Sequence, residues 1–271
     1  EPAREDLKRA RSLAADPVRE WLEHQADADW FAKNWPMASF ELGTLIEVYG
    51  GRLDLYRRRG EDFSEMGKRK EKAADFGLGA ALAGAPTDLA LAHAAALLAA
   101  GDRDDYRKTC AALVARFGQT TDPALAERIA RVCSLDPSSG VSRDALSDLA
   151  SRAVTGEPKN RRSLATRGAV FSYAGDNETA VKTFDEAIKD EPKPSTFLLL
   201  SRAISLARLG RAREAQADYK KARQVMDYSL WRIKKGKVKG KDFKWEDRPS
   251  EIVLERQARE LLKAIPKEIA P

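Results

Sequence analysis

The side chains that most often carry catalysis are scarce in this chain of 271 residues. Its two histidines, His24 and His93, stand far apart in the sequence. No closely spaced cysteine pair and no His-x-x-x-His spacing offers the ligands of a zinc site. No serine stands in a Gly-x-Ser-x-Gly turn, where a nucleophile would be expected. Residue types and spacing therefore predict no enzyme, no cofactor and no metal site.

Two further features resemble functional motifs only in part. Gly77-Leu78-Gly79 has two glycines of a dinucleotide-binding fingerprint, but Leu82 stands where the third is required and a helical stretch precedes the motif. We interpret it as close helix packing. Cys110 and Cys133 lie in apolar helical stretches and are interpreted as small buried hydrophobes in a reducing compartment. A disulfide between them is the alternative, although no pattern supports it.

One segment concentrates the positive charge. Residues 228–248 contain eight Lys or Arg and three acids, which accounts for +5 of the net charge of +6. Interleaved with Trp231, Phe243 and Trp245, these cations could engage phosphates and stack on bases. The alternative is a solvated loop whose aromatic residues fold back onto the protein. The candidate polyanion contacts are Lys234, Lys235, Lys237, Lys239, Lys241 and Lys244.

The overall composition is that of a mostly helical protein, rich in Ala, Leu, Arg, Glu and Lys and with 7% aromatic residues. No stretch reaches the roughly 20 apolar residues that span a bilayer, since Gly84, Pro86 and Asp88 interrupt the alanine-rich run over 78–100. We expect a cytoplasmic protein without a membrane partner. Because the chain begins at Glu1 and shows no signal peptide, we also expect it to be part of a longer protein.

A period of 34 residues organises most of the chain. Small residues recur at positions 8 and 20, where the two helices of a unit are expected to touch, and glycine at position 15 permits a left-handed turn between them. In the clearest unit the residues at positions 4, 8, 11, 15, 20, 24, 27 and 32 are Leu164, Gly168, Phe171, Gly175, Ala180, Phe184, Ala187 and Pro192. The predicted units, within 19–230, are 19–52, 53–86, 87–120, 121–160 (divergent and six residues too long), 161–194 and 196–229.

Three segments stand outside this period. We predict a lead-in helix over 1–18, a basic aromatic insertion over 231–248 and a capping helix within 249–271. The last has one apolar stripe, which we expect to cover the exposed end of the final unit. The stripe comprises Leu254, Ala258, Leu261, Leu262 and Ile265.

The repeat pattern resembles the tetratricopeptide repeat (TPR) superfamily, most closely over 161–229. The resemblance implies an all-α fold, a right-handed superhelical solenoid of helix-turn-helix units with a C-terminal capping helix. Other features, such as Trp30-Phe31-Ala32, Ala115-Arg116-Phe117-Gly118 and Trp245-Glu246-Asp247-Arg248, are similar to the C-terminal repeat region of large planctomycete-type proteins with an upstream kinase or WD-repeat domain. That similarity implies a regulatory or scaffolding module rather than a catalyst.

The resemblance also implies a concave groove, lined by the first helices of the units, that holds a peptide or helix of a partner, or another domain of the same chain. The groove's N-terminal part is mixed, with acids around Arg57 and Arg58, and its central and C-terminal parts are apolar. We therefore expect an amphipathic, somewhat basic partner. The candidate contacts are Trp30, Arg57, Glu61, Leu91, Leu98, Tyr173, Phe197, Leu200, Ile204 and Arg208. Two alternatives stand beside it: a helical-repeat RNA or polyanion binder assisted by 231–248, and a structural or oligomerisation arm. Nucleic acid is disfavoured because the groove is not uniformly basic.

Overall fold

A computed structural model describes residues 17–189, 191–234 and 247–264. All but the last two residues of the predicted lead-in helix, and residues 235–246 of the basic segment, lie outside these ranges. Within them every regular element is a helix and no strand occurs. The predicted all-α fold class is therefore confirmed.

The helices belong to two compact units, one ending at Ala96 and the other beginning at Leu97. The helices that begin in the first unit are α1 (Pro17–Ala32), α2 (Trp35–Tyr49), α3 (Leu53–Glu65), α4 (Arg69–Ala80) and α5 (Thr87–Ala100), which contains the boundary. The second unit continues with α6 (Arg103–Phe117), α7 (Pro123–Cys133), a 3₁₀ turn (Pro137–Ser139), α8 (Arg143–Gly156), α9 (Arg161–Tyr173), α10 (Asn177–Ile188), α11 (Thr196–Arg208), α12 (Ala212–Lys234) and α13 (Asp247–Ala264). Each predicted 34-residue unit thus contains two helices, and α12 extends four residues into the basic segment.

Consecutive helices pack as helix-turn-helix pairs: α1 on α2, α3 on α4, α7 on α8, α9 on α10 and α11 on α12. At position 15 of four predicted units the turn residue is a glycine with a positive φ, namely Gly67, Gly101, Gly175 and Gly210. The unit that begins at Arg19 has Lys33 at this position. Lys33 adopts the same left-handed conformation, with φ 64°. The turn geometry is therefore kept where the glycine is missing, at the cost of a strained backbone.

The helices of a pair approach closely where a glycine faces an aromatic ring. A Cβ atom added to Gly168 would lie 2.6 Å from the ring of Phe184, and one added to Gly60 would lie 2.6 Å from the ring of Phe76. The sequence pattern predicts that position 8 meets the small residue at position 20. The nearest side chain is instead the aromatic ring at position 24, which occupies the space that the glycine leaves.

Two predicted units carry a large residue at position 20, and both side chains are buried. The Nζ of Lys72 donates to Ser64 Oγ at 3.1 Å and lies 5.2 Å from the Phe76 ring centroid. The hydroxyl of Tyr106 donates to the Val132 carbonyl at 2.8 Å, which links α6 to α7. A polar end group can thus replace a small residue when the structure supplies it with a partner.

The two cysteines lie in the core beside Tyr106. Cys110 and Cys133 are fully buried and form no disulfide. A hydrogen bond involving Cys110, together with burial, raises the pKa of the Cys133 thiol well above its usual value. A thiol held protonated is a poor nucleophile, in keeping with the interpretation of these residues as packing elements.

Candidate functional site

The first helices of three successive pairs in the second unit, α7, α9 and α11, lie side by side. We call the surface they present to α13 the first-helix face. Some of its residues come from these helices and others from the turn that follows α7. Its residues are Ser134, Leu135, Pro137, Ala169, Ser172, Tyr173, Ser201, Ile204 and Arg208.

Helix α13 lies on the first-helix face, packing chiefly on α11 and also on α12. Its buried residues Ser250, Val253, Leu254 and Ala258 follow helical spacing and form one largely apolar stripe. The sequence predicts that this helix covers the end of the last unit. In the structure it also reaches residues of α5 and of the turn after α7, more than 120 positions earlier in the chain.

Three consecutive residues of α13 anchor it by polar contacts. Glu255 accepts a hydrogen bond of 2.7 Å from the Tyr219 hydroxyl and lies 3.6 Å from the Arg223 guanidinium. Arg256 donates to the Leu98 carbonyl at 3.2 Å. Burial and the bond to Glu255 raise the pKa of the Tyr219 phenol above its ordinary value.

The third of these residues, Gln257, uses its side-chain amide on the opposite flank. Its Nε2 donates to the Leu135 carbonyl at 3.0 Å and to Asp136 Oδ2 at 3.3 Å. Both acceptors belong to the turn after α7, the part of the divergent unit 121–160 that departs from the repeat pattern. This turn thus supplies an amide-recognition site on the first-helix face.

A cavity of about 30 Å³ lies between α13 and the first-helix face. Leu254 and Gln257 line it from the side of α13. On the opposite side, Tyr173 donates to the Val141 carbonyl at 2.8 Å and Arg208 donates to the Ser172 carbonyl at 3.1 Å. Apolar and polar side chains thus line the cavity together, and Tyr173 and Arg208 are already bonded to backbone carbonyls.

Ser201 differs from Tyr173 and Arg208 in its hydrogen bonding. Ser201 is only 4% exposed, and its hydroxyl has no hydrogen-bond partner among the described residues. A buried hydroxyl without a partner is costly. Since Ser201 lines the same cavity, α13 covers this part of the face without satisfying its polar group.

Six residues of the predicted groove lie in the second unit, and the structure brings three of them together. Tyr173, Ile204 and Arg208 line the cavity under α13. Phe197, 1% exposed, lies nearer the start of α11, with the Arg131 guanidinium carbon 3.8 Å from its ring centroid. The other two, Leu98 and Leu200, are buried.

A buried ionic network connects α7 with α9. The carboxylate of Glu127, itself 4% exposed, accepts hydrogen bonds from Arg162 Nε at 2.9 Å and from Thr166 Oγ1 at 2.6 Å. The guanidinium of Arg131 lies 3.8 Å from the same carboxylate and stacks on Phe197. These contacts join the first helices of three pairs through one charged cluster.

The remaining predicted groove residues lie in the first unit. Trp30 packs edge-on against Phe31 and Trp35, with ring centroids 5.6 and 5.4 Å apart. Arg57 and Glu61 are half-buried on α3, and Leu91 is buried in α5. Of the candidate polyanion contacts, Lys234 is the last residue of α12 and the other five lie outside the described residues.

Sequence reasoning missed several residues of this site. Ser134, Leu135 and Pro137 follow α7 in the divergent unit, where the repeat register is lost. Ser172 and Ser201 had no distinguishing signal, because an isolated serine in a helix is common. Gln257 could have been noticed as a polar residue beside the apolar stripe, although its partner could not.

Within the described ranges no three His, Cys, Asp or Glu side chains cluster as metal ligands would. None of the described helices combines the length and the apolar character needed to cross a membrane.

No family model and no curated protein matches the sequence. A tetratricopeptide repeat protein from Parabacteroides merdae is similar in structure, with a TM-score of 0.60 and 13% identity over 96% of this chain and 89% of its own. MamA protein covers 66% of this chain and 94% of its own (TM-score 0.49, 12% identity), and a TPR protein from Thermus thermophilus covers 63% and 90% (TM-score 0.44, 17% identity). The first of these comparisons shows that the chain has the TPR fold.

Proposed function

We propose that this chain is a non-catalytic protein-interaction module whose first-helix face holds an amphipathic helix of a partner. The observation that carries the proposal is the position of α13. A helix with an apolar stripe lies on that face, its stripe inward and its polar residues bonded at the flanks. Helix-in-groove recognition uses the same arrangement of apolar anchors at helical spacing.

The chemistry of the face supports binding rather than catalysis. Its polar groups are serine hydroxyls, the Tyr173 hydroxyl, backbone carbonyls and Arg208. Tyr173 already donates to the Val141 carbonyl and Arg208 to Ser172. These groups can orient a ligand, but they supply neither a nucleophile paired with a base nor a metal site. An upstream kinase or WD-repeat domain as the natural context, and a somewhat basic partner, are parts of the same proposal.

Selection from a displayed library of helical peptides tests the proposal with the full chain as bait. We expect enrichment of amphipathic sequences with apolar residues at helical spacing. Arg208→Glu on the first-helix face should abolish binding of the selected peptides, whereas the matched change Arg213→Glu, on the exposed surface of α12, should leave it intact. Peptides that bind both variants equally would place the binding surface elsewhere.

The charge concentrated in residues 228–248 favours a second candidate, a polyanion binder. It predicts retention on heparin that decreases steeply with salt. Replacing Lys235, Lys237, Lys239 and Lys241 by serine should abolish the retention. If the variant is still retained on heparin, another surface of the protein must bind the polyanion.

A further inference from the structure

The position of α13 has a consequence for regulation that rests on the proposed function. We propose that α13 is a resident ligand of the first-helix face, and that a partner helix must displace it to bind. The site then recognises a helix of defined chemistry: an apolar stripe flanked by a carboxylate on one side and a side-chain amide on the other.

The two flanking sites are complementary to those groups. On one flank the Tyr219 hydroxyl and the Arg223 guanidinium face Glu255, so this site takes a carboxylate. On the other flank the Leu135 carbonyl and the Asp136 carboxylate both accept from Gln257, so this site takes the two hydrogens of an amide. An apolar stripe alone would leave the Tyr219 hydroxyl and the Leu135 carbonyl without these hydrogen bonds, which costs affinity.

The fit of α13 to the face is incomplete. The partly open cavity of about 30 Å³ that Leu254 lines, together with the Ser201 hydroxyl, which has no partner among the described residues, marks where α13 leaves contacts unmade. Unfilled space forfeits packing energy, and a buried unpaired hydroxyl adds to the loss. A partner helix with a longer, polar-ended side chain at the position of Leu254 could recover both, and would therefore bind better than α13 does.

The covalent connection explains how an imperfect ligand can still hold the face. Because α13 belongs to the same chain as the face, its binding is intramolecular, which gives it a high effective local concentration. A free peptide with the sequence of α13 must compete against that concentration. Its apparent affinity for the intact chain should therefore be at least roughly tenfold weaker than for a chain whose own α13 has been released.

Fluorescence anisotropy of a labelled synthetic peptide with the sequence of residues 247–264 tests this in the full-length protein. The substitution Ala258→Glu places a carboxylate on the buried stripe and should release the resident helix. We expect this variant to bind the peptide at least roughly tenfold more tightly than the unmodified chain does. The matched control Lys263→Glu introduces the same residue at an exposed position of α13 and should bind like the unmodified chain.

A second variant and a second peptide keep the result interpretable. If Ala258→Glu loses helicity in circular dichroism, the milder Gln257→Ala, which removes only the amide contacts, should still strengthen peptide binding severalfold. A peptide in which the residues equivalent to Glu255 and Gln257 are alanine should bind the released chain at least roughly tenfold more weakly. Equal binding of the two peptides would overturn the assigned partner chemistry.

The remaining outcomes separate this inference from the proposed function. The unmodified chain could bind the peptide as tightly as the released variants do. In that case the face would still be a helix-binding surface, but α13 would not be its occupant. If the released variants are folded but do not bind the peptide, both the proposed function and the role of α13 as a resident ligand are overturned. A chain that exchanges α13 with a second copy would elute as a dimer in size-exclusion chromatography, and this too would overturn the intramolecular role.

Discussion

The side-chain amide of Gln257 donates a hydrogen bond of 3.0 Å to the backbone carbonyl of Leu135, 122 positions earlier in the chain. The bond connects α13 to the turn after α7, within the divergent unit 121–160. The divergent unit is therefore more than a degenerate repeat, because its extra residues build part of the surface on which α13 lies. Irregular turns on a regular scaffold are where binding groups are commonly placed.

Gly168→Ala is expected to destabilise the protein by about 1–3 kcal/mol, because the new Cβ would lie 2.6 Å from the ring of Phe184. Thermal or urea unfolding measures the loss. Adding Phe184→Leu to this variant should recover part of it. The control is Gly43→Ala, whose Cβ would meet only the end of the Arg59 side chain at 3.4 Å. A Gly168→Ala variant as stable as the parent would contradict the packing described for the pair α9 and α10.

Lys33→Gly is expected to stabilise the first unit by roughly 1 kcal/mol, because it removes the penalty of a side chain in a left-handed turn. The midpoint of thermal unfolding should rise. Lys68 occupies the next position in the corresponding turn of the following repeat, with φ −81°, so Lys68→Gly should bring no gain. If the two substitutions changed the midpoint of thermal unfolding equally, the backbone at Lys33 would not be strained.

The stability of the first unit is expected to depend on pH through the buried side chain of Asp62. Its side chain is fully buried, and neither carboxylate oxygen has a hydrogen-bond partner within the described ranges. Burial, followed by the charge of Glu61, raises the pKa of Asp62 to about 8. The folded state therefore holds a proton that the unfolded state releases near its ordinary pKa of 3.8. It follows that the contribution of Asp62 to stability is greatest at about pH 4 and below, and that it falls as the pH rises from about 4 to about 8.

Asp62→Asn should abolish this dependence. The variant and the parent should be similarly stable near pH 4, and the variant should be more stable, by on the order of a few kcal/mol, above about pH 8. Denaturant unfolding at a series of pH values measures the difference. Glu47→Gln, at an exposed position of α2, should leave the pH profile unchanged. A parent whose stability is constant between about pH 4 and about pH 8 would rule out a buried proton at Asp62.

Glu127→Ala is expected to cost about 3–5 kcal/mol, because it leaves the buried guanidinium of Arg131 without its carboxylate. Glu127→Gln should cost less, since its single amide oxygen can still accept from Arg162 Nε while its amide nitrogen can donate to Thr166 Oγ1. The comparison is Glu214→Ala, which breaks an exposed ion pair with Arg211 and should change stability little. Similar losses in Glu127→Ala and Glu214→Ala would mean that the buried network contributes nothing beyond a surface pair.

The repeat register could be predicted because it rests on local requirements. Gly175 and Gly210 mark left-handed turns, and small residues mark close helix contacts; both signals lie within one unit. The same reasoning could not foresee Lys33, since tertiary packing imposes the turn on a residue that disfavours it. It also did not identify Phe184 as the side chain nearest Gly168, because spacing alone does not tell which side chain of the facing helix fills the gap.

The position of α13 could not be predicted for a different reason. The stripe that includes Leu254 and Ala258 tells which side of the helix is buried, but an end cap and a ligand of the first-helix face require the same stripe. Only long-range contacts, such as that of Gln257 with Leu135, distinguish the two. The sequence alone therefore assigns Phe197, Leu200 and Ile204 to a partner, whereas the structure buries them within the chain itself.

Site-specific photo-cross-linking tests the central claim, that α13 lies on the first-helix face, most directly. A benzoylphenylalanine residue replaces Gln257 in the full chain, and mass spectrometry maps the cross-links after irradiation. Placement at Arg259, on the exposed side of the helix, serves as the control. The structure predicts that the probe at position 257 attaches to residues 134–137 and to Tyr173, while the control does not. Cross-links confined to α12, as a helix that only covers the end of the last repeat would give, would contradict the account.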